Sequence, residues 1–227
     1  MRRILLPPAH VRRDRLDNAH LRVVLASALS ADANCVDVGA NVGGVLEQIV
    51  RLAPLGRHIA FEPLPGLHAR LVEHFPQVEV RCLALSNRSG EAEFTFVASH
   101  PGYSGFRERA YPGRERLEKL IVPVARLDDV LPPGYLPHMV KIDVEGAERE
   151  VLEGGLETLA RARPLVVFEH GKGAADYYGT LPEQVWDLLA EGAGLRIFDL
   201  DGNGPYTRSA FAEAFQEATR WNYLARP

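Results

Sequence analysis

The residues best suited to chemistry stand at the ends of short apolar runs. Asp37, Gly39, Asn41 and Gly43 fall in "CVDVGANVGG", Glu62 closes "HIAFEP", and Lys141, Asp143 and Glu145 fall in "HMVKIDVEGAE". A buried strand that runs into a glycine turn usually sets that turn against a ligand. Which ligand is a matter of charge and of glycine spacing. A dinucleotide turn needs Gly-x-Gly-x-x-Gly so that the backbone can approach a pyrophosphate, and here Asn41 follows Gly39-Ala40 where the second glycine should stand. The spacing is instead acid-x-Gly-x-x-x-Gly. A carboxylate before the turn attracts an ammonium group and repels a diphosphate.

S-adenosylmethionine has that ammonium and no phosphate, so the turn favours it over a nicotinamide cofactor. Glu62, a little over twenty residues beyond Gly39, is placed to accept hydrogen bonds from both ribose hydroxyls of an adenosine. Either nucleoside cofactor would use it, so the choice rests on Gly39 to Gly43. In "CLALS", Ala84 and Leu85 offer apolar surface that could flank an adenine or serve the core.

Transfer of a methyl group to an alcohol oxygen is helped by a base near the acceptor. The candidates are Asp143, Glu145, Glu169 and His170. Lys141 points to the same side of its strand as Asp143, and a lysine inside a central strand needs a carboxylate partner, which the sequence offers as Asp143, Glu145 or Glu169. That pair could organise the strand ends or take part in the chemistry. His170 reads either as a base near neutral pH or as a loop histidine. Together Asp143, Glu145, Glu169 and His170 could hold a divalent cation, but no spacing demands one, and a metal is not the favoured reading. Glu148 begins a helix and reads as a favourable first-turn charge.

These residues need a scaffold that brings strand ends together. Strands "NCVDVG", "HIAFEP" and "VEVRCLALS" alternate with helices "GVLEQIVRLA" and "GLHARLVEHF". The rhythm resumes with "HMVKIDV", helix "AEREVLEGGLETLA", "RPLVVFEH", helix "LPEQVWDLLAE", "LRIFDLDG", a short helix near "AFAEAFQEA" and the closing strand "TRWNYLA". Short strands separated by helices imply right-handed parallel crossovers. The expected fold is a doubly wound α/β sheet of seven strands, mostly parallel, with an antiparallel pair at its end. Between its halves, "EAEFTFVA" and "KLIVPVARLDD" read as an added pair of strands. The insertion joining them, residues 99–119, is long enough to be a lid. In it Tyr103, Phe106 and Tyr111 alternate with Arg107, Arg109, Arg114 and Arg116, fit to cover a sugar ring or an acidic acceptor, while Glu108, Glu115 and Glu118 favour a solvated face.

The 227 residues suit one domain, in which residues 1–30 form an N-terminal helical segment packed on a core of residues 31–227. The helical pattern runs from Asp14 to about Ser30, with Leu16, His20, Val23, Val24 and Ser27 near one face. Arg2, Arg3, Arg12, Arg13 and Arg15 read as a solvated basic segment. A formal charge of -4 gives no electrostatic footprint for nucleic acid, and no apolar run is long enough to span a bilayer or act as a signal peptide. The expected setting is cytoplasmic and the expected partner a small molecule. Cys35 and Cys82 lie in apolar runs and read as free core thiols.

The segments "VDVGANVGG", "IAFEP", "RLDDV", "VKIDVEGAE" and "VVFEHG", in this order, resemble the FkbM family of S-adenosylmethionine-dependent methyltransferases from about Asn34 to Gly171. The closing "WNYLA" is also family-like. The resemblance implies a class I methyltransferase fold, Rossmann-like, and methylation of a hydroxyl on a sugar or natural product. Arg126 departs from it, standing where relatives have threonine before "LDD". Two rival readings are a nicotinamide-dependent oxidoreductase and a methyltransferase-like module that binds without catalysing.

Overall fold

The structure is a computed structural model that describes residues 9–111 and 113–227. Arg2 and Arg3 of the basic segment lie outside the described residues. In chain order, α1 (Ala9–Ala28) leads into β1 (Cys35–Val38), α2 (Gly44–Leu52), β2 (His58–Phe61), α3 (Pro65–His74) and β3 (Glu79–Arg81). Next come β4 (Ala84–Leu85), β5 (Gly90–Val97), β6 (Leu117–Ala125), α4 (Leu127–Val130) and β7 (Met139–Ile142). The chain ends with α5 (Glu148–Gly154), α6 (Leu156–Ala162), β8 (Leu165–Glu169), α7 (Pro182–Trp186), β9 (Arg196–Asp199), α8 (Arg208–Glu217) and β10 (Asn222–Arg226).

Seven strands form one sheet in the order β3-β2-β1-β7-β8-β10-β9. Pairings from β3 through β8 are parallel, and β10 inserts antiparallel between β8 and β9. The expected α/β sheet is therefore present. The chain winds outward from β1 through β2 to β3, then returns to the other side of β1 as β7. That reversal places the crevice for a ligand above the carboxyl ends of β1 and β7. Both faces are covered, as a parallel sheet requires. Val36, Val38, Ile59 and Phe61 face a core closed by α5, α7 and α8, and Cys35, Met139 and Ala60 face one closed by α1, α2 and α3.

Several expectations from the sequence need correction. "VEVRCLALS" is not one strand: it bends at Arg81, whose carbonyl accepts from Leu83 N at 3.1 Å, and Ala84–Leu85 pair with β6 in a separate three-stranded sheet, β4-β6-β5. Cys82 lies in that bend, half-buried, and only Cys35 is a core thiol; both are free. The added strands β5 and β6 do pair antiparallel. The helix read through "AEREVLEGGLETLA" divides at Gly155. Gly154 packs so closely on the chain after β4 that a Cβ there would lie 2.0 Å from Ser86 O.

On α1 the buried face differs from the one the apolar pattern predicts. Leu16 and Val23 are 44% and 67% exposed, and the helix buries Asp17, Leu21 and Leu25 instead. The i, i+4, i+8 stripe was hidden because its first member is an acid. Asp17 is accommodated by an ion pair with Arg13 and by Asn222 Nδ2, which donates to it at 3.1 Å. Among the described residues no helix is long and apolar enough to cross a membrane.

Candidate active site

The turn after β1 can be built only with its glycines. Gly39 has φ +75°, and a Cβ there would lie 2.0 Å from Asp143 O, so the loops after β1 and β7 touch backbone to backbone. Gly43 has φ +85° and sits against Phe75. Asn41 also adopts a left-handed conformation, which asparagine tolerates better than most residues. The turn's amides are already engaged. Gly39 N and Ala40 N donate to Phe61 O at 3.0 and 3.1 Å, Asn41 N donates to Glu62 Oε2 at 2.8 Å, and Gly43 N donates to Ala40 O at 2.8 Å.

Glu62 is buried, and its other oxygen accepts from Leu64 N at 2.9 Å. Burial raises its pKa, against the lowering effect of those backbone donors. Each oxygen keeps a further lone pair for a ligand hydroxyl. It faces a narrow cavity of about 600 Å³ including its open mouth, whose floor is Gly39 and Asn41 and whose far end is Asp143 and Glu145. Ala84 and Leu85, delivered by the bend after β3, line it, joined by Leu83. The insertion roofs it with Pro101, Gly102, Ser104 and Phe106. Of these the sequence singles out only Phe106; Pro101, Gly102 and Ser104 carry no pattern beyond the length of the insertion.

Lys141 lies beneath the junction of the two loops. Its Nζ donates to Gly39 O at 2.7 Å and sits 3.3 Å from Asp37 Oδ1 and 3.4 Å from Asp143 Oδ2. Burial disfavours the ammonium, but the two carboxylates outweigh it and hold the pKa above its ordinary value. Asp143 was among the partners expected; Asp37 was not. The signal was available, since Asp37 and Lys141 are in register on neighbouring strands β1 and β7. Asp37 was expected to face a cationic ligand directly. Instead it is 1% exposed, sealed under the turn away from the cavity lining, and burial raises its pKa while Lys141 opposes the rise. It supports the turn through Lys141.

Asp143, Glu145 and Glu169 bring carboxylate oxygens within 4.8 Å of one another. Glu145 has φ +59° and forms an ion pair with Arg109 from the insertion, whose guanidinium lies 5.0 Å from the centre of the Tyr103 ring. Burial, then Asp143, pushes the Glu145 pKa up to about 8, with Arg109 opposing. Burial and the neighbouring acids also raise Glu169. Glu148 is more than a first-turn charge: it is buried, its Oε1 accepts from Val144 N and Gly146 N at 3.1 Å each, and burial raises its pKa to about 7. It clamps the loop that carries Asp143 and Glu145.

An oxygen-seeking divalent cation would find suitable donors in the three acids. However, Lys141 already balances Asp143, and Glu145, raised to about 8, holds its proton near neutral pH, so little negative charge is left for such an ion to balance.

His170 is not at the site. Its ring is buried against Phe211 and Phe215, at centroid distances of 5.7 and 4.9 Å, and neither ring nitrogen has a hydrogen-bond partner. Burial lowers its pKa to about 4, so it is neutral at physiological pH, and it does not line the cavity. Arg126, the departure from the family pattern, pairs with Asp128 and Asp129 at 3.5 Å and does not line the cavity.

The model of the methyltransferase FkbM domain matches residues 37–197, most of the chain. A segment of the AMB antimetabolite synthetase AmbE of Pseudomonas aeruginosa is 30% identical over 244 aligned positions, covering 87% of this chain but only 11% of that protein. The 2-O-methyltransferase NoeI of Sinorhizobium fredii is 28% identical over 190 positions, covering 74% of this chain and 75% of NoeI. The crystal structure of methyltransferase FkbM from Methylobacillus flagellatus has the same fold, with a TM-score of 0.55 at 14% identity over 88% of this chain and 44% of that one. The sheet order, the glycine turn and the matched residues lead to one conclusion: the chain belongs to the FkbM methyltransferase family.

Proposed function

We propose that this methyltransferase transfers the methyl group of S-adenosylmethionine to a hydroxyl oxygen of a small-molecule acceptor. The observation that carries the reading is the cavity itself: Glu62 for the ribose, the Leu83–Leu85 segment for the adenine, and carboxylates rather than cations at the other end. The residues fit the donor's parts. An ammonium finds hydrogen-bond acceptors in Asp143 and Glu145, whereas a pyrophosphate, which needs donors, would meet a turn whose amides at 39–41 are already hydrogen-bonded. This argues against the nicotinamide alternative. Similarity to a 2-O-methyltransferase supports oxygen as the acceptor atom.

When bound, the donor supplies a methyl group on a positively charged sulfur. The chain has to hold oxygen, carbon and sulfur in line, an effective-molarity contribution of about 7–11 kcal/mol at best. The acceptor oxygen forms the new bond to carbon, the carbon–sulfur bond breaks toward sulfur, and the acceptor proton passes to a carboxylate. Asp143 is nearest to the turn and takes that role, with Glu145 and Glu169 beside it. Lys141 and Asp37 position Asp143 and Gly39. The insertion acts as a lid that excludes water, latched by Arg109 on Glu145.

Calorimetry with adenosylhomocysteine and with NAD, followed by incubation of labelled donor with a panel of glycosides and hydroxylated natural products, tests the reading. Adenosylhomocysteine should bind and a hydroxyl should be labelled. Binding of NAD alone would overturn the donor assignment, and donor binding without transfer to any acceptor would favour a binding module.

A further inference from the structure

On the other side of the glycine turn, a second cleft opens between α1 and the start of α2. It holds about 1310 Å³ of space including its mouth, and it shares Gly39, Asn41 and Asp143 with the adenosine cavity. Its other polar walls are Arg15, Asn18 and Arg22 of α1, Gln48 of α2, and Lys141. The arginines of α1 differ in their engagement. Arg13 is locked by Asp17 and Asp201, whereas Arg15 and Arg22 are exposed and make no ion pair with any described residue. Gln48 Nε2 donates to Gly44 O at 3.3 Å, while its Oε1 is shielded from water with no donor in reach.

Resting on the methyl-transfer reading, we propose that this cleft is the acceptor site and that it selects a hydroxylated acceptor bearing an anionic group, phosphate or carboxylate, held by Arg15 and Arg22 while a hydroxyl reaches Asp143. Lys141 is occupied by Asp37, Asp143 and Gly39 O, so the cleft's unbalanced positive charge comes from the two arginines. They are seven residues apart, two helical turns or about 10.5 Å along nearly one face. This spacing suits an elongated ligand lying along α1. The donor's amino-acid tail carries one carboxylate balanced by its own ammonium and has no use for two cations so far apart. Guanidinium groups grip phosphate and carboxylate in paired hydrogen bonds, and at an exposed site that attraction weakens with salt.

The test is titration of the full chain, loaded with adenosylhomocysteine, with glucose 6-phosphate, glucuronate and glucose. One or both anionic probes should bind about tenfold or more tightly than glucose, about 1.4 kcal/mol, and which of them does so identifies phosphate or carboxylate as the group read. High salt should erode the advantage, and the Arg15→Gln/Arg22→Gln variant should lose it while keeping adenosylhomocysteine affinity within about twofold. Equal binding of all three sugars, or an advantage that survives in the variant, overturns the proposal. It also falls if the variant loses adenosylhomocysteine but still binds methylthioadenosine, because the arginines then hold the donor's own carboxylate. Failure of the wild-type chain to bind adenosylhomocysteine would instead sink the methyl-transfer reading beneath it.

Discussion

Glu169 and His170 are consecutive residues in opposite surroundings. Glu169 joins Asp143 and Glu145 in an acidic group at the crevice, where lysine and arginine partners offset the burial of charge. His170 enters an aromatic box of Phe211 and Phe215 with no partner for either ring nitrogen. Glu169 is the last residue of β8 and His170 the first beyond it, so a step of one residue separates the two regions. Burial acts on both in the same way, against the charged form, yet it raises one pKa and lowers the other. What makes the first region a site is the pair of cations beneath and above it.

Removing the lower cation should break the comparison most sharply. Lys141→Met leaves Asp37 buried without a counter-charge and should cost about 3–5 kcal/mol, read as a drop in the urea midpoint with unchanged slope. A midpoint close to wild type would mean that Asp37 is protonated and that the acidic region needs no cation below it.

Next in size is Glu62→Gln. The amide can still accept one of the two backbone hydrogen bonds, but it loses the charge that strengthens bonds from ribose hydroxyls. Adenosylhomocysteine affinity should fall about 10- to 100-fold, for about 1.5–3 kcal/mol, alongside a stability loss of about 1–3 kcal/mol from the backbone amide left without an acceptor. Equal affinity removes the ribose assignment.

The two regions should also give opposite pH slopes. Glu145, raised from 4.5 to about 8, keeps a proton in the folded chain that the unfolded chain has released, so its contribution is complete below about pH 4.5 and is lost as pH rises through about 8. His170, lowered from 6.5 to about 4, stays neutral when folded, so its contribution is complete above about pH 6.5 and is lost as pH falls through about 4. Between pH 6.5 and 8 the melting temperature should decline, and Glu145→Gln should flatten that decline. Below pH 6.5, His170→Phe should flatten the acid-side loss while methyl transfer continues; abolished transfer would restore the histidine as a base.

The smallest effect should come from Arg109→Gln, which unlatches the insertion without disturbing the sheet. Donor KM should rise several-fold with little change in melting temperature. An unchanged KM would show that the insertion is a fixed roof.

The sequence by itself determined the α/β class, the seven main strands, the glycine turn and the acids at strand ends, because these depend on local periodicity and on backbone conformations that few residues tolerate. Gly39 and Glu62 were legible for that reason. Tertiary structure alone decided which side chains share a space. Register across β1 and β7 placed Asp37 on Lys141, packing of α8 enclosed His170 in the aromatic box, and a turn at Arg81 moved Ala84 and Leu85 onto a second sheet. Arg109 crosses from the insertion to Glu145, a contact between segments 36 residues apart that no local pattern encodes. On α1, the buried Asp17 masked the true face, since its burial is possible only through Arg13 and the distant Asn222. Periodicity fixes what forms locally; long-range packing fixes which charges meet, and it is the meeting of charges that makes the site.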